Sequence, residues 1–160
     1  MLAKVQIEFL TKNSHKKKCV EISNALFGEN YLDLPYFNSS EIIRIIALKN
    51  EEVIGFFTAQ KINETTIKIN SIGIKSNYQK QLIGTRLMTY FFSHYVNKKT
   101  KVIAQAWKSK YGLHAEKLNF KFGMKIIENQ GKIWKKTCNK TFKCPHYKTT
   151  CSCEGILFST

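Results

Sequence analysis

The stretch Ile72-Gly73-Ile74-Lys75-Ser76-Asn77-Tyr78-Gln79-Lys80-Gln81-Leu82-Ile83-Gly84-Thr85-Arg86-Leu87-Met88 decides how this chain is read. In it the end of an apolar strand enters a polar loop that opens directly into an amphipathic helix. Beyond the loop, Ile83, Leu87, Tyr90, Phe91 and Tyr95 recur at helical spacing, whereas residues before it follow the two-residue period of a strand. A helix N-terminus leaves several backbone N–H groups unpaired and carries a partial positive charge, so the junction is a ready seat for a phosphate. An ordinary strand-to-helix turn would look the same, and on this physics alone both readings stand.

Towards the N-terminus, Ile42–Lys49, Val53–Lys61 and Thr65–Ile74 are β-branched runs separated by Asn50-Glu51 and Asn63-Glu64. Turn-sized gaps between such runs predict an antiparallel meander. Val5, Ile7 and Phe9 alternate within Lys4–Leu10 and suit a first strand. Asn13-Ser14 is positioned to cap a helix that Gly28 would end after Phe27, and residues 29–40 read as loop with at most one helical turn. Towards the C-terminus the pattern predicts a helix over Leu82–Tyr95, a strand over Lys101–Trp107, a helix over Ser109–Phe122, and strands at Met124–Ile127 and Glu154–Phe158. This order is that of an α/β, mixed α+β chain.

With 43% hydrophobic residues among 160, there is material for one core, so residues 1–160 read as a single domain. No run of about eighteen apolar residues is present, and Met1-Leu2-Ala3-Lys4-Val5-Gln6 lacks the apolar stretch of a secretory signal. A soluble, cytoplasmic protein is expected. Lys and Arg number 26 against 11 Asp and Glu, a formal net charge of +15. The lysines are dispersed, Lys16-Lys17-Lys18 being their one compact run, so a solvated surface is favoured over a dedicated RNA groove.

The loop Gln79-Lys80-Gln81-Leu82-Ile83-Gly84 resembles the pyrophosphate loop of the GNAT family of N-acetyltransferases: Arg or Gln, two residues, Gly, one residue, Gly or Ala. Leu82 departs from it, standing where the family usually has its first glycine, and the expectation is an ordinary backbone conformation at that position. Gly112 to Met124 is similar to the family's later helix and its exit into the next strand, with Ala115, Leu118, Gly123 and Met124 matching. There Asn119 replaces a common tyrosine and Gly112 a common asparagine.

The resemblance implies a six- to seven-stranded, mostly antiparallel, twisted sheet with helices on both faces. It implies transfer of an acetyl group from acetyl-CoA to a primary amine by direct attack, the acceptor being unidentified. Coenzyme A would be bound by Ile72, Gly73, Ile74, Gln79, Lys80, Gln81, Leu82, Ile83, Gly84, Thr85, Arg86 and Gln105, with Lys75 as a further source of charge. The Ile74 N–H would face the charge developing on the acetyl oxygen. Glu64, Tyr111, His114 and Glu116 are the candidates for taking the amine's proton, and Asn119, at the position of the common tyrosine, is the remaining catalytic candidate.

One feature falls outside this resemblance. Cys138, Cys144, His146, Cys151 and Cys153 fill a sixteen-residue insertion before the last strand. In a reducing compartment such density reads as a tetrahedral zinc site using four of the five, or as free, oxidisable thiols. A structural zinc is therefore a candidate cofactor beside acetyl-CoA. The alternative to an enzyme is a basic, zinc-stabilised module that binds RNA or an acidic protein.

Overall fold

Residues 4–160 are described by the structure, a computed structural model. Met1, Leu2 and Ala3, the start of the N-terminal stretch read above, lie outside them. The elements run β1 (Gln6–Phe9), α1 (Asn13–Phe27), α2 (Leu34–Asn38), β2 (Ile42–Lys49), β3 (Glu52–Lys61), β4 (Thr66–Ile74), α3 (Ile83–Tyr95), β5 (Lys101–Ser109), β6 (Gly112–Leu113), α4 (Glu116–Lys121), β7 (Lys125–Asn129) and β8 (Glu154–Ser159). They form one sheet in the order β1-β2-β3-β4-β5-β8-β7, with β6 paired to β5. Among these strands of the described residues, β4 and β5 are the one pair that runs parallel. The expected mixed, mostly antiparallel architecture is thus present.

The central strands are apolar on both faces because helices cover both. Ile45 and Ala47 of β2 and Phe57 of β3 face α3, packing with Ile83, Leu87, Met88 and Phe91. Ile46 and Leu48, with Val53 and Phe56, face α1 and α2 against Cys19, Ile22 and Phe37. Phe57 and Phe91 are fully buried; removing a side chain of that size from water contributes about 1.5–3 kcal/mol. Between β2 and β3, Asn50 and Glu51 both have positive φ, 50° and 64°. That is the turn whose twist matches a hairpin, and Asn tolerates it well.

Two local expectations are corrected. The predicted helix over residues 109–122 is a hairpin followed by a short helix: β5 runs on to Ser109, β6 returns, and α4 begins only at Glu116. Gly112 at φ 116° and Ala115 at φ 61° hold backbone conformations that no right-handed helix contains. Asn13 is the first helical residue of α1 rather than its cap, since Lys12 occupies that position and no side chain caps the end. The capping carboxylate of this region is Asp33, which accepts from the Tyr36 N–H at 2.9 Å and starts α2.

Candidate active site

The site begins where two strands part. β4 and β5 pair from Thr66↔Lys101 to Ile69↔Ala104 and no further. On the other edge of β4, Ile69 faces Ala59 while Ser71 faces Thr58, so Asn70 is an extra, bulged residue at the point of divergence. The Lys75 N–H donates to the Ile54 carbonyl at 2.9 Å. Antiparallel pairing alternates, so the backbone groups of Ile72 and Ile74 turn away from β3 and into the gap that β5 leaves. Gln79 Nε2 reaches the Ile74 carbonyl there at 3.0 Å. Gly73 between them faces the other side, where a Cβ would come within 2.6 Å of the Phe56 ring. It allows β4 to pass Phe56 and does not line the gap.

The gap widens into a cleft of about 950 Å³ that runs to the N-terminus of α3. Of the residues expected to hold coenzyme A, Ile72, Ile74, Gln79, Lys80, Leu82, Ile83, Gly84, Thr85 and Gln105 line it, whereas Gly73, Gln81 and Arg86 do not. The first α-helical bond of α3 is from the Arg86 N–H to the Leu82 carbonyl, 3.0 Å, and no side chain caps the helix. The N–H groups of Ile83, Gly84 and Thr85 are therefore without helical partners at the cleft wall. Leu82 adopts φ 61° and ψ 13°, so the ordinary backbone expected of it is corrected. The turn keeps the left-handed shape that glycine would give it, at a cost of roughly 1–2 kcal/mol. The Leu82 side chain stays 67% exposed and meets no steric bar.

The cations expected around this loop divide. Lys80 lines the cleft. Arg86 turns back to donate to the Val5 carbonyl at 2.6 Å, and Lys75 pairs with Glu52. Gln81 donates to the Asn77 carbonyl at 3.1 Å. Gln105 keeps its place on the cleft wall and donates to Gln130 Oε1 at 2.8 Å.

Of the catalytic candidates, three line the cleft. His114 lies on its wall, with Nε2 3.0 Å from Ser109 Oγ and its ring stacked on Trp107 at 4.7 Å. Ser109 Oγ accepts the Tyr111 N–H at 3.2 Å, leaving its proton to be given to Nε2 of a neutral imidazole. Burial, then the neighbouring His146, hold the His114 pKa below its ordinary value. Asn119 is buried in α4 and also faces the cleft. Tyr111 sits at the tip of the β5–β6 hairpin, 68% exposed and off the lining. Glu64 lies in the β3–β4 turn, at the end of β4 remote from the gap. Glu116 is the third of them on the lining.

The opposite end of the cleft is made of residues that sequence reasoning did not single out. Leu26, Phe27 and Tyr31 come from α1 and the loop after it, Trp107 from β5, and Trp134 and Phe142 from the segment before β8. Asn70, the bulged residue, donates from Nδ2 to the Tyr36 hydroxyl at 3.0 Å, and that hydroxyl donates to Thr58 Oγ1 at 2.9 Å. Burial raises the Tyr36 pKa, with the Thr58 and Asn70 bonds opposing it, so the phenol stays neutral. The signal was present at Asn70, an isolated polar residue in a β-branched run. Its meaning depended on a bulge that only pairing with β3 creates.

Cys138, Cys151 and Cys153 are buried together in this wall, with Cys144 packed against them. His146 instead lies against Trp107 at 4.7 Å and Tyr111 at 5.1 Å. No group of three or more His, Cys, Asp or Glu side chains among the described residues is drawn up to a common centre at ligand distance. Nor is any described helix long and apolar enough to cross a membrane.

Residues 16–124 match the model of the acetyltransferase (GNAT) family. No curated protein matches the chain. Among solved structures, the fold is similar to an aminoglycoside 6′-N-acetyltransferase complexed with coenzyme A, at 16% identity over 97% of this chain and 96% of that one, TM-score 0.76. A GNAT family acetyltransferase from Elizabethkingia anophelis with acetyl-CoA bound is similar at 18% identity over 98% and 97%, TM-score 0.73. The ribosomal-protein-S18-alanine N-acetyltransferase from Escherichia coli is similar at 12% identity over 98% and 92%, TM-score 0.73. At these identities the likeness is one of fold.

Proposed function

The chain belongs to the acetyltransferase (GNAT) family, and from that membership we propose that it moves an acetyl group from acetyl-CoA to a primary amine by direct attack. The observation that carries the reading is the open edge of β4 running straight into the uncapped start of α3. Such an edge accepts an extended amide chain as an added strand, and the N–H groups beyond it accept phosphates. In this reading Ile72 and Ile74 hold the pantetheine, and Lys80 with the N–H groups of Ile83 to Thr85 holds the pyrophosphate. Arg86 and Lys75 take no part.

Acetyl-CoA supplies an activated acyl group and a thiolate leaving group of ordinary thiol pKa, near 8.5. The Ile74 N–H stabilises the charge that develops on the carbonyl oxygen as the amine nitrogen forms its bond and the carbon–sulfur bond breaks. His114, neutral near pH 7, takes the proton that the amine must lose through the Ser109 hydroxyl, which gives its own proton to Nε2 as it receives the amine's. Asn119 needs no acid role, because such a thiolate leaves without one. The acceptor end is aromatic, with Phe27, Tyr31, Trp107, Trp134 and Phe142, and Glu116 is the one carboxylate on the whole lining among the described residues. We infer an amine carried on an apolar or aromatic body; a polycationic sugar would find a single carboxylate, that of Glu116, as counter-charge. Nothing in the matches supports the RNA-binding alternative.

The test is a calorimetric titration with acetyl-CoA followed by thiol detection over a panel of aromatic, aliphatic and polycationic amines. Saturable cofactor binding with turnover of the aromatic amines supports the reading. Absence of binding at millimolar acetyl-CoA would overturn it.

A further inference from the structure

We propose that Asn70 selects the acceptor: its side-chain oxygen receives a hydrogen bond from an N–H or O–H group on the body of the amine, away from the nitrogen that is acetylated. The inference rests on the proposed acetyl transfer to an amine with an apolar or aromatic body and adds a second recognition point to it. It starts from a chain of hydrogen bonds whose direction is fixed. The Ser71 carbonyl can only accept, so the Thr58 hydroxyl, 3.5 Å away, gives it its proton. Thr58 Oγ1 then accepts from the Tyr36 hydroxyl at 2.9 Å. With its own proton spent, the Tyr36 oxygen can only accept from Asn70, 3.0 Å away, and of the two ends of an amide only the nitrogen donates. The Asn70 amide is thereby set, with Nδ2 on Tyr36 and Oδ1 turned away from it. Among the described residues, no group donates to Oδ1.

The fold holds that oxygen where an acceptor would lie. Pairing of β4 with β5 ends at Ile69↔Ala104, one residue before Asn70, and towards β3 Asn70 is the residue left unpaired between Ile69 and Ser71. A bulge re-aims its side chain out of the alternation of the strand. Asn70 stands on the cleft lining together with Ser71, Leu26, Phe27 and Tyr31. Tyr36, which fixes the amide, belongs to α2 and packs with Phe37 and Cys19, on the face of the sheet that α1 also covers. Four residues of strand, roughly 13 Å at 3.3 Å per residue, separate Asn70 from Ile74. That is too far for contact with the nitrogen attacking at the Ile74 N–H, so Asn70 meets the body that trails behind it. An amide oxygen carries no full charge, and what it selects is a donor rather than a cation. Once an acceptor has displaced water from these apolar surroundings, an oxygen left without a donor costs affinity, and the analogue that lacks the donor is rejected.

Tyramine and phenethylamine differ by one hydroxyl at the far end of the ring, and tryptamine and 1-methyltryptamine by one ring N–H. The parent protein, saturated with acetyl-CoA, is expected to favour the donor-bearing member of at least one pair by about tenfold or more in kcat/KM. Asn70→Leu should reduce that preference to less than about twofold, by raising the KM of the donor-bearing amine more than that of its partner, with acetyl-CoA affinity by calorimetry held. Asn70→Asp, which keeps an oxygen at the position, should keep the preference. Tyr36→Phe, which releases the amide to turn, should weaken it by about threefold or more, and it carries the test should Asn70→Leu not fold. Equal kcat/KM within both pairs would overturn the proposal. So would an equal loss on both members of a pair in Asn70→Leu, the result that a purely structural asparagine gives. A parent protein that binds acetyl-CoA but acetylates none of the four amines overturns it together with the aromatic acceptor, and leaves the cofactor end standing. Absence of acetyl-CoA binding brings down the transfer reading itself, and this proposal with it.

Discussion

The two ends of the cleft are built on different principles. The end at β4 and α3 is made of main chain: an unpaired strand edge, three N–H groups of a helix start, and a left-handed turn at Leu82. The end at α1 and the cysteine segment is made of side chains, Phe27, Tyr31, Trp134 and Phe142, delivered by stretches far apart in sequence. Backbone features tolerate many side chains, so the first end can depart from its family's pattern at Leu82 and keep its shape. An end made of side chains changes character with each replacement. The first therefore speaks for the cofactor and the second for the acceptor.

The sharpest way to break this division is to put a side chain into the main-chain end. A Cβ at Gly84 would stand 3.4 Å from Leu118 across the cleft mouth, so Gly84→Glu carries its carboxylate into the space proposed for the pyrophosphate. Acetyl-CoA affinity should fall more than about 100-fold, or about 2.8 kcal/mol, with the circular-dichroism spectrum unchanged. Parental affinity by calorimetry would show that the phosphates lie elsewhere.

The matching perturbation of the side-chain end is Gly28→Ala. Gly28 has φ 109°, and a Cβ there would overlap the Lys143 carbonyl of the cysteine segment. Backbone has to move, and the wall carrying Phe142 moves with it. Steady-state kinetics should show the acceptor KM raised about tenfold, with the acetyl-CoA KM within about twofold, and stability lowered by about 1–3 kcal/mol. Equal changes in both constants would dissolve the distinction between the ends.

His114 tests whether chemistry sits between them. Its pKa is lowered, so the neutral, proton-accepting form persists below the ordinary imidazole value near 6.5. Activity governed by it is full above that value and falls as pH drops through the lowered pKa. His114→Ala should reduce kcat by about 10- to 100-fold, and the acid limb of the pH profile should disappear with it. An unchanged limb would pass the role to another group.

How much was legible follows the same division. The strand–loop–helix junction at Ile74 to Met88 was readable because its signal is local: a change of period within one window. The meander was readable because Asn50-Glu51 and the alternation around it are local too. Three things depended on partners that no window contains. β8 enters the sheet between β5 and β7, Asn70 bulges only against Thr58 and Ala59, and Arg86 spends its charge on Val5, 81 residues away. The helix expected from Ser109 failed for a different reason, since Ala115 at φ 61° carries no sequence mark of a left-handed residue.

The smallest effect is expected at Leu82, where the main-chain end departs from its family's pattern. Leu82→Gly removes a β-carbon from a left-handed conformation and so relieves roughly 1–2 kcal/mol of local strain. It also frees the unfolded chain, which costs about 0.5–1 kcal/mol. Little burial is lost, Leu82 being 67% exposed. The two terms nearly cancel, so chemical denaturation should place the variant within about 1 kcal/mol of the parent, on the stable side if anywhere. Because the turn already has the shape glycine would give it, acetyl-CoA affinity should change by less than about threefold, or 0.7 kcal/mol. A gain of tenfold or more would mean that the leucine had been obstructing the phosphates, and that this end of the cleft is governed by its side chains after all.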